Sequence, residues 1–202
     1  MTIAGVLLAG GQSQRMGGGD KCLRLLAERP ILAHVIERAQ PQVATLVLNA
    51  NGDAARFAAF GLPVVADELA GFAGPLAGVL AGLDWAAANL PHATHVASFA
   101  TDAPFLPRDL VAALRDGMRE GGYQLACAAS DGRAHPVFGL WPLALREDLR
   151  QALAGGLRKV DQRTGRYRLI EVEFPVAPVD PFFNANRPED LAEAERLVTR
   201  AR

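Results

Sequence analysis

The stretch that most limits what this chain can become is its first apolar run together with the glycine-rich sequence beside it. Residues 3–8 read as a buried strand, and they empty directly into Ala9-Gly10-Gly11-Gln12-Ser13-Gln14-Arg15-Met16-Gly17-Gly18-Gly19-Asp20-Lys21, with five glycines, an arginine and a lysine. Glycine lets main-chain N–H groups turn inward and approach a ligand without a Cβ in the way. Successive inward N–H groups make an anion-binding nest, and Arg15 and Lys21 place full positive charge beside it. The stretch therefore reads as a cradle for a polyphosphate, with a ligand-free glycine turn as the plainer alternative.

Two familiar phosphate motifs do not fit. A Walker loop needs Gly-Lys followed by Ser or Thr, whereas Asp20 precedes Lys21 and Cys22 comes after it, so no hydroxyl is set for a metal. A dinucleotide fingerprint needs Gly-x-Gly-x-x-Gly opening straight into a helix; this loop is longer and carries cations.

Downstream, apolar strands alternate with helical patterns, the signature of right-handed βαβ units and a mostly parallel sheet. Pro30 opens a helix with Ile31, Leu32, Val35, Ile36 and Ala39 at helical spacing. A second strand (44–48) ends at Asn49-Ala50-Asn51, and a third (63–66) at Asp67-Glu68. In open α/β sheets ligands bind outside the carboxyl ends of strands. Asn49 and Asn51 suit a base or ribose there, and equally suit a turn before a helix. Gly74-Pro75-Leu76-Ala77-Gly78 leads into a helix to about residue 89; its small residues allow close approach to a nucleobase or tight packing on a strand.

A fourth strand (95–100) runs into Thr101-Asp102-Ala103-Pro104. A carboxylate at a strand end facing a phosphate cradle is where magnesium belongs, since that hard cation takes one or two carboxylates plus substrate phosphates. A turn or cap role is the alternative for Asp102. Next come a helix (107–120), a strand (124–129), a turn (130–135) and a return strand (136–141), and the antiparallel pair would wall an acceptor site. Arg133 and His135 would meet a phosphorylated acceptor, although His135 also suits a structural role. A helix (143–154), a small basic cluster (157–160) that reads as a solvated face or as a contact for an anionic acceptor, an edge strand (168–174) and an Asn184-x-Asn186 loop before a Pro-initiated helix complete the chain.

The 202 residues suit one domain, and a half-hydrophobic composition supplies an ordinary core. A formal net charge of −1 argues against a general nucleic-acid or membrane surface, so phosphate binding has to be local. Cys22 and Cys127 are too few for a disulfide framework, and Cys22 reads as a packed residue. With no secretion-like leader and no run long enough to span a bilayer, the expected compartment is the cytoplasm.

These motifs together resemble the molybdenum cofactor guanylyltransferases. The resemblance rests on the Leu8-Ala9-Gly10-Gly11 loop ending in Asp20-Lys21, Asn49-x-Asn51, Asp67, Gly74 to Gly78, Asp102, His135-Pro136, and Asn184-x-Asn186 before Pro188-Glu189-Asp190-Leu191. Arg187 departs from the threonine common there. The resemblance implies a three-layer, Rossmann-like nucleotidyltransferase fold in a single domain. Its nucleotide part would cover about 1–105 and its acceptor part about 106–202. It implies GMP transfer from GTP to molybdenum-molybdopterin with Mg2+, catalysis by Arg15, Lys21 and Asp102, and metal on Asp102. Nucleotide binding would fall to Leu8, Ala9, Gly10, Gly11, Lys21, Asn49, Asp67, Gly74 and Asp102, and acceptor binding to Arg133, His135, Asn184 and Asn186. Partners would be the two substrates and proteins that make or deliver the cofactor. A related cytidylyltransferase and a non-catalytic nucleotide-binding scaffold are the rival readings.

Overall fold

Strand and helix alternate as the apolar pattern requires, and the strands join in one seven-stranded sheet. The computed structural model describes residues 1–9, 20–68, 74–156, 167–185 and 187–200. In chain order the elements are β1 (Thr2–Leu8), a hairpin of β2 (Leu25–Leu26) and β3 (Arg29–Pro30), α1 (Ile31–Ala39), β4 (Thr45–Asn49) and β5 (Val64–Val65). Then come α2 (Pro75–Asn89), β6 (Ala93–Ala100), α3 (Leu110–Gly121), β7 (Leu125–Ser130), β8 (Arg133–Pro142), α4 (Arg146–Ala154), β9 (Leu169–Glu173) and α5 (Pro188–Arg200).

The sheet order is β5-β4-β1-β6-β8-β7-β9, and only β8 runs antiparallel to its neighbours. Central β1 is buried on both faces, with Val6 and Leu7 fully covered, as a continuous apolar run requires in a parallel sheet. On one face Leu7, Leu48 and Phe99 pack with α1, α3 and, through Ala194, α5. On the other, Val6, Val47 and Val96 pack with α2 and α4. Three layers result. Ser98 locks the antiparallel strand in place: its Oγ donates to the Val137 carbonyl at 2.7 Å and accepts from Trp141 Nε1 at 2.9 Å.

Local details depart from the sequence reading. Pro30 closes the β2–β3 hairpin and stands at the cap of α1, one residue before the helix. The turn expected over 130–135 shrinks to Asp131 and Gly132, both at positive φ. Asp-Gly with two positive φ values matches the twist of a two-residue hairpin, so Arg133 and His135 belong to β8. A short 3-10 helix, Ala54–Phe60, was not read from the sequence; Asp53 caps it by accepting from Ala55 N at 2.9 Å, and Gly61 ends it at φ 66°. Among the described residues, no helix is long and apolar enough to cross a membrane.

Candidate active site

Parallel β5, β4, β1 and β6 bring their carboxyl ends to one edge, and antiparallel β8 brings its first residues to the same edge. The ends are tied laterally. Ala9 N donates to Asn49 O at 2.9 Å, Ala50 N to Val65 O at 3.0 Å, and Thr101 Oγ1 to Leu8 O at 3.1 Å. Leu8, Ala9, Asn49, Asp67 and Asp102 thus share a fastened rim.

Asn49, Asn51 and Asp67 form one network. Asn49 Nδ2 donates to Asp67 Oδ1 at 2.9 Å, Asn51 Nδ2 to Asp67 Oδ2 at 2.8 Å, and Asp67 N to Asn51 Oδ1 at 2.9 Å. Asn51 is therefore a brace that uses both ends of its amide. Asn49 is buried, with its Oδ1 turned toward α2, and Asp67 keeps both oxygens oriented while able to accept further bonds. Gly78 answers one open alternative: a Cβ built there would collide with Asn49 Oδ1 and lie 2.7 Å from Leu8 Cδ2. Its small size serves packing of α2 on the strand ends. Gly74, at φ 150°, takes a conformation that a side chain would strain, and Pro75 then fills the first helical position.

Asp102 lies just past the end of β6. Burial pushes its carboxyl above the ordinary aspartate value, and the positive charge of Lys21 works in the opposite direction. Lys21 opens a 3-10 turn, Lys21–Leu23, close enough for its charge to act on Asp102. Cys22 is buried, and burial with the nearby Asp20 carboxylate pushes its thiol up to about 12. A protonated, packed sulfur is inert toward nucleophilic chemistry.

The C-terminal segment crosses to this edge. Ala185 N donates to the Asp102 carbonyl at 2.9 Å, which leaves the adjacent Asn184 exposed beside it. Phe182 stacks 4.7 Å from the His135 ring and 4.8 Å from Phe138. Ser130 Oγ lies 2.7 Å from His135 Nε2 and 3.1 Å from Asp180 Oδ1. Asp180 Oδ1 also accepts from Phe182 N at 3.0 Å. The hydroxyl has one proton and the carboxylate can only accept, so Ser130 donates to Asp180 and accepts from His135 Nε2–H. Burial lowers the His135 pKa, with Asp180 opposing. Serine sits between the acid and the imidazole, so this is no nucleophilic triad. Arg133 begins β8, exposed.

A model of the MobA-like NTP transferase domain matches residues 5–168. A molybdenum cofactor guanylyltransferase from a Bradyrhizobium species is 61% identical over 97% of this chain and 93% of its own length. The chain belongs to the molybdenum cofactor guanylyltransferase family. A molybdopterin-guanine dinucleotide biosynthesis protein A from Archaeoglobus fulgidus, 22% identical, shares the fold with TM-score 0.75 over 98% of this chain and 99% of that one. A Mycobacterium tuberculosis protein solved as a complex with manganese, 18% identical, superimposes with TM-score 0.69 over 97% of this chain and 99% of that one.

Of the positions that the guanylyltransferase resemblance names, Leu8, Ala9, Lys21, Asn49, Asp67, Gly74, Asp102, Arg133, His135 and Asn184 are described and belong to this edge or the elements that border it. Gly10, Gly11, Arg15, Asn186 and the basic cluster at 157–160 lie outside the described residues. Sequence reading missed Arg56, Thr101, Ser130 and Asp180. Arg56 carried a weak signal as a lone cation in an Ala/Phe stretch; the others are tied together by partners far along the chain, Asp180 for Ser130 and Leu8 for Thr101.

Proposed function

We propose that the carboxyl edge of this sheet binds GTP and that the protein transfers its GMP to the phosphate of molybdenum-molybdopterin. Pyrophosphate leaves and molybdopterin guanine dinucleotide forms. The observation that carries the reading is a half-buried carboxyl, Asp102, past the end of β6 and within reach of the charge of Lys21, which follows the glycine-rich sequence. On the far side of β1, the Asn49–Asp67 network supports it as a nucleoside site.

Phosphate attacking phosphate brings two polyanions together, so positioning and charge neutralisation are the main demands. In the proposed reaction an acceptor phosphate oxygen bonds to the α-phosphorus of GTP as its bond to the bridging oxygen of pyrophosphate breaks. Lys21 and Arg15 stabilise charge on the transferring and leaving groups, and preorganised donors of this kind act most strongly where water is excluded. Asn49 and Asp67 orient the nucleoside. Arg133, His135 and Asn184 receive the acceptor, with the Nε2 proton of His135 committed to Ser130.

A divalent cation fits Asp102: a hard carboxylate oxygen, disfavoured in its charged state by burial, is a ligand type that Mg2+ accepts together with phosphates. Among the described residues no cluster of three or more His, Cys, Asp or Glu could hold a metal alone, so substrate phosphates would supply the remaining ligands with water. When bound, the metal supplies Lewis-acid stabilisation of phosphoryl charge.

We place the nucleotide part in about 1–105, the acceptor part in about 106–202, and the enzyme in the cytoplasm with proteins that deliver or use its product. Thermal-shift titration of the protein with each Mg·nucleoside triphosphate tests the nucleotide assignment. GTP should raise Tm at lower concentration than CTP, ATP or UTP; equal shifts for all four would contradict it.

A further inference from the structure

Arg56 lies in the Ala54–Phe60 turn, yet its guanidinium joins two separate segments. Its Nε donates to Asp20 Oδ2 at 2.5 Å, its Nη2 to the Asn51 carbonyl at 2.7 Å, and its Nη1 to the Asp53 carbonyl. The flat face rests on Phe57, with Cζ 4.6 Å from the ring centroid, and Phe57 is itself buried. The ion pair is withdrawn from solvent, with Arg56 and Asp20 side chains 28% and 21% exposed. Such a pair is screened less than a surface one. Asp20 immediately precedes Lys21, and Asn51 braces Asp67. One side chain therefore connects the end of the glycine-rich sequence to the turn that organises the nucleoside side of the edge.

We infer that Arg56 is a positioning residue for the phosphate side of the site. It fixes Asp20, and through the chain Lys21, against the Asn51 turn, and it cancels the Asp20 carboxylate where a triphosphate has to approach. An unpaired Asp20 would attract the Lys21 ammonium away from phosphate and would repel the incoming anion. The task needs a planar fork with donors in three directions and a face for Phe57, which a lysine does not offer. This inference rests on the proposed GTP site.

The test is calorimetric titration of Mg·GTP and of GMP into wild type, Arg56→Ala, Arg56→Lys, Asp20→Asn and the Arg56→Ala/Asp20→Asn double variant, with the apo Tm of each. Loss of a hydrogen bond to a charged group weakens binding by about ten- to a hundredfold. Arg56→Ala is expected to weaken GTP by about ten- to a hundredfold and GMP by less, because the loss falls on the phosphates. Arg56→Lys should recover little. The double variant should bind GTP no worse than Arg56→Ala, since both changes break one contact, and guanidinium added at low millimolar concentration should partly restore GTP affinity to Arg56→Ala. Wild-type GTP affinity in Arg56→Ala, additive losses in the double variant, or equal weakening of GTP and GMP alongside a lowered Tm would overturn the inference. Failure of the wild type to bind Mg·GTP would instead overturn the proposed function, so the two failures are separable.

Discussion

Asp102 is held in a state that its surroundings disfavour. Burial raises its folded pKa, and Lys21 offsets only part of that. Between the ordinary aspartate value of about 3.9 and the raised folded value, the native protein binds more protons than the unfolded chain. Stability therefore falls as pH rises through that window, and the full cost is present above it. Asp102→Asn removes the charge and keeps the shape, so the metal-free variant should melt at or above the wild-type temperature at pH 7–8. The difference should vanish as pH falls below about 4. Turnover should drop by roughly two to three orders of magnitude, the size seen when one preorganised charge-stabilising group is lost, and excess magnesium should not restore it. Near wild-type turnover would mean that Asp102 is only a cap, because Asn caps about as well as Asp. The place of Asp102 at a strand end was legible in the sequence because the apolar run before it marks a buried strand that closes there. Arg56 was not, because its partners Asp20 and Asn51 meet only after β1 and β4 pair.

At the scale of elements, α2 shows how packing sets the site. Gly78 lets the helix rest on Leu8 and Asn49, and Gly82 does the same over Val6, where an added Cβ would lie 2.8 Å from Val6 Cβ. Gly78→Ala gains about 1 kcal/mol of helix propensity. Against that, the new methyl would meet an Asn49 amide whose Nδ2 is already held by Asp67 and by Val65 O, and overpacking of this kind costs about 1–3 kcal/mol. The net expectation is a lower Tm together with weaker GTP binding, because Asn49 has to leave Asp67. Unchanged GTP affinity in a folded Gly78→Ala protein would show that the network is not part of the nucleotide site. The main strands and helices were readable because apolar runs and helical spacing carry their own burial pattern. The β2–β3 hairpin was not, since its turn places Ala27 and Glu28 at positive φ without glycine or asparagine to signal it. At the start of α5 Arg187 stands where the resemblance expects threonine, and Asp190 Oδ2 accepts from Arg187 N at 2.8 Å. Half of a capping box therefore survives the departure.

Over the whole molecule, topology does what no single motif can. The strand order sets β1 between β4 and β6, so the glycine-rich sequence, Asn49 and Asp102 issue from adjacent strands. The lone antiparallel strand then returns Arg133 and His135 to the same side. The chain end ties these parts together: Phe182 is buried among His135, Phe138 and Phe174, and Ala185 is bonded to Asp102. One segment thus joins the start of β8 to the end of β6. The most direct test of GMP transfer at this edge is pyrophosphate release from each of the four nucleoside triphosphates, with magnesium and with molybdenum-molybdopterin as acceptor. The expected result is release with GTP that depends on both magnesium and acceptor and is matched one for one by molybdopterin guanine dinucleotide. Equal release from CTP, or GTP binding with no pyrophosphate formed in the presence of acceptor, would contradict it.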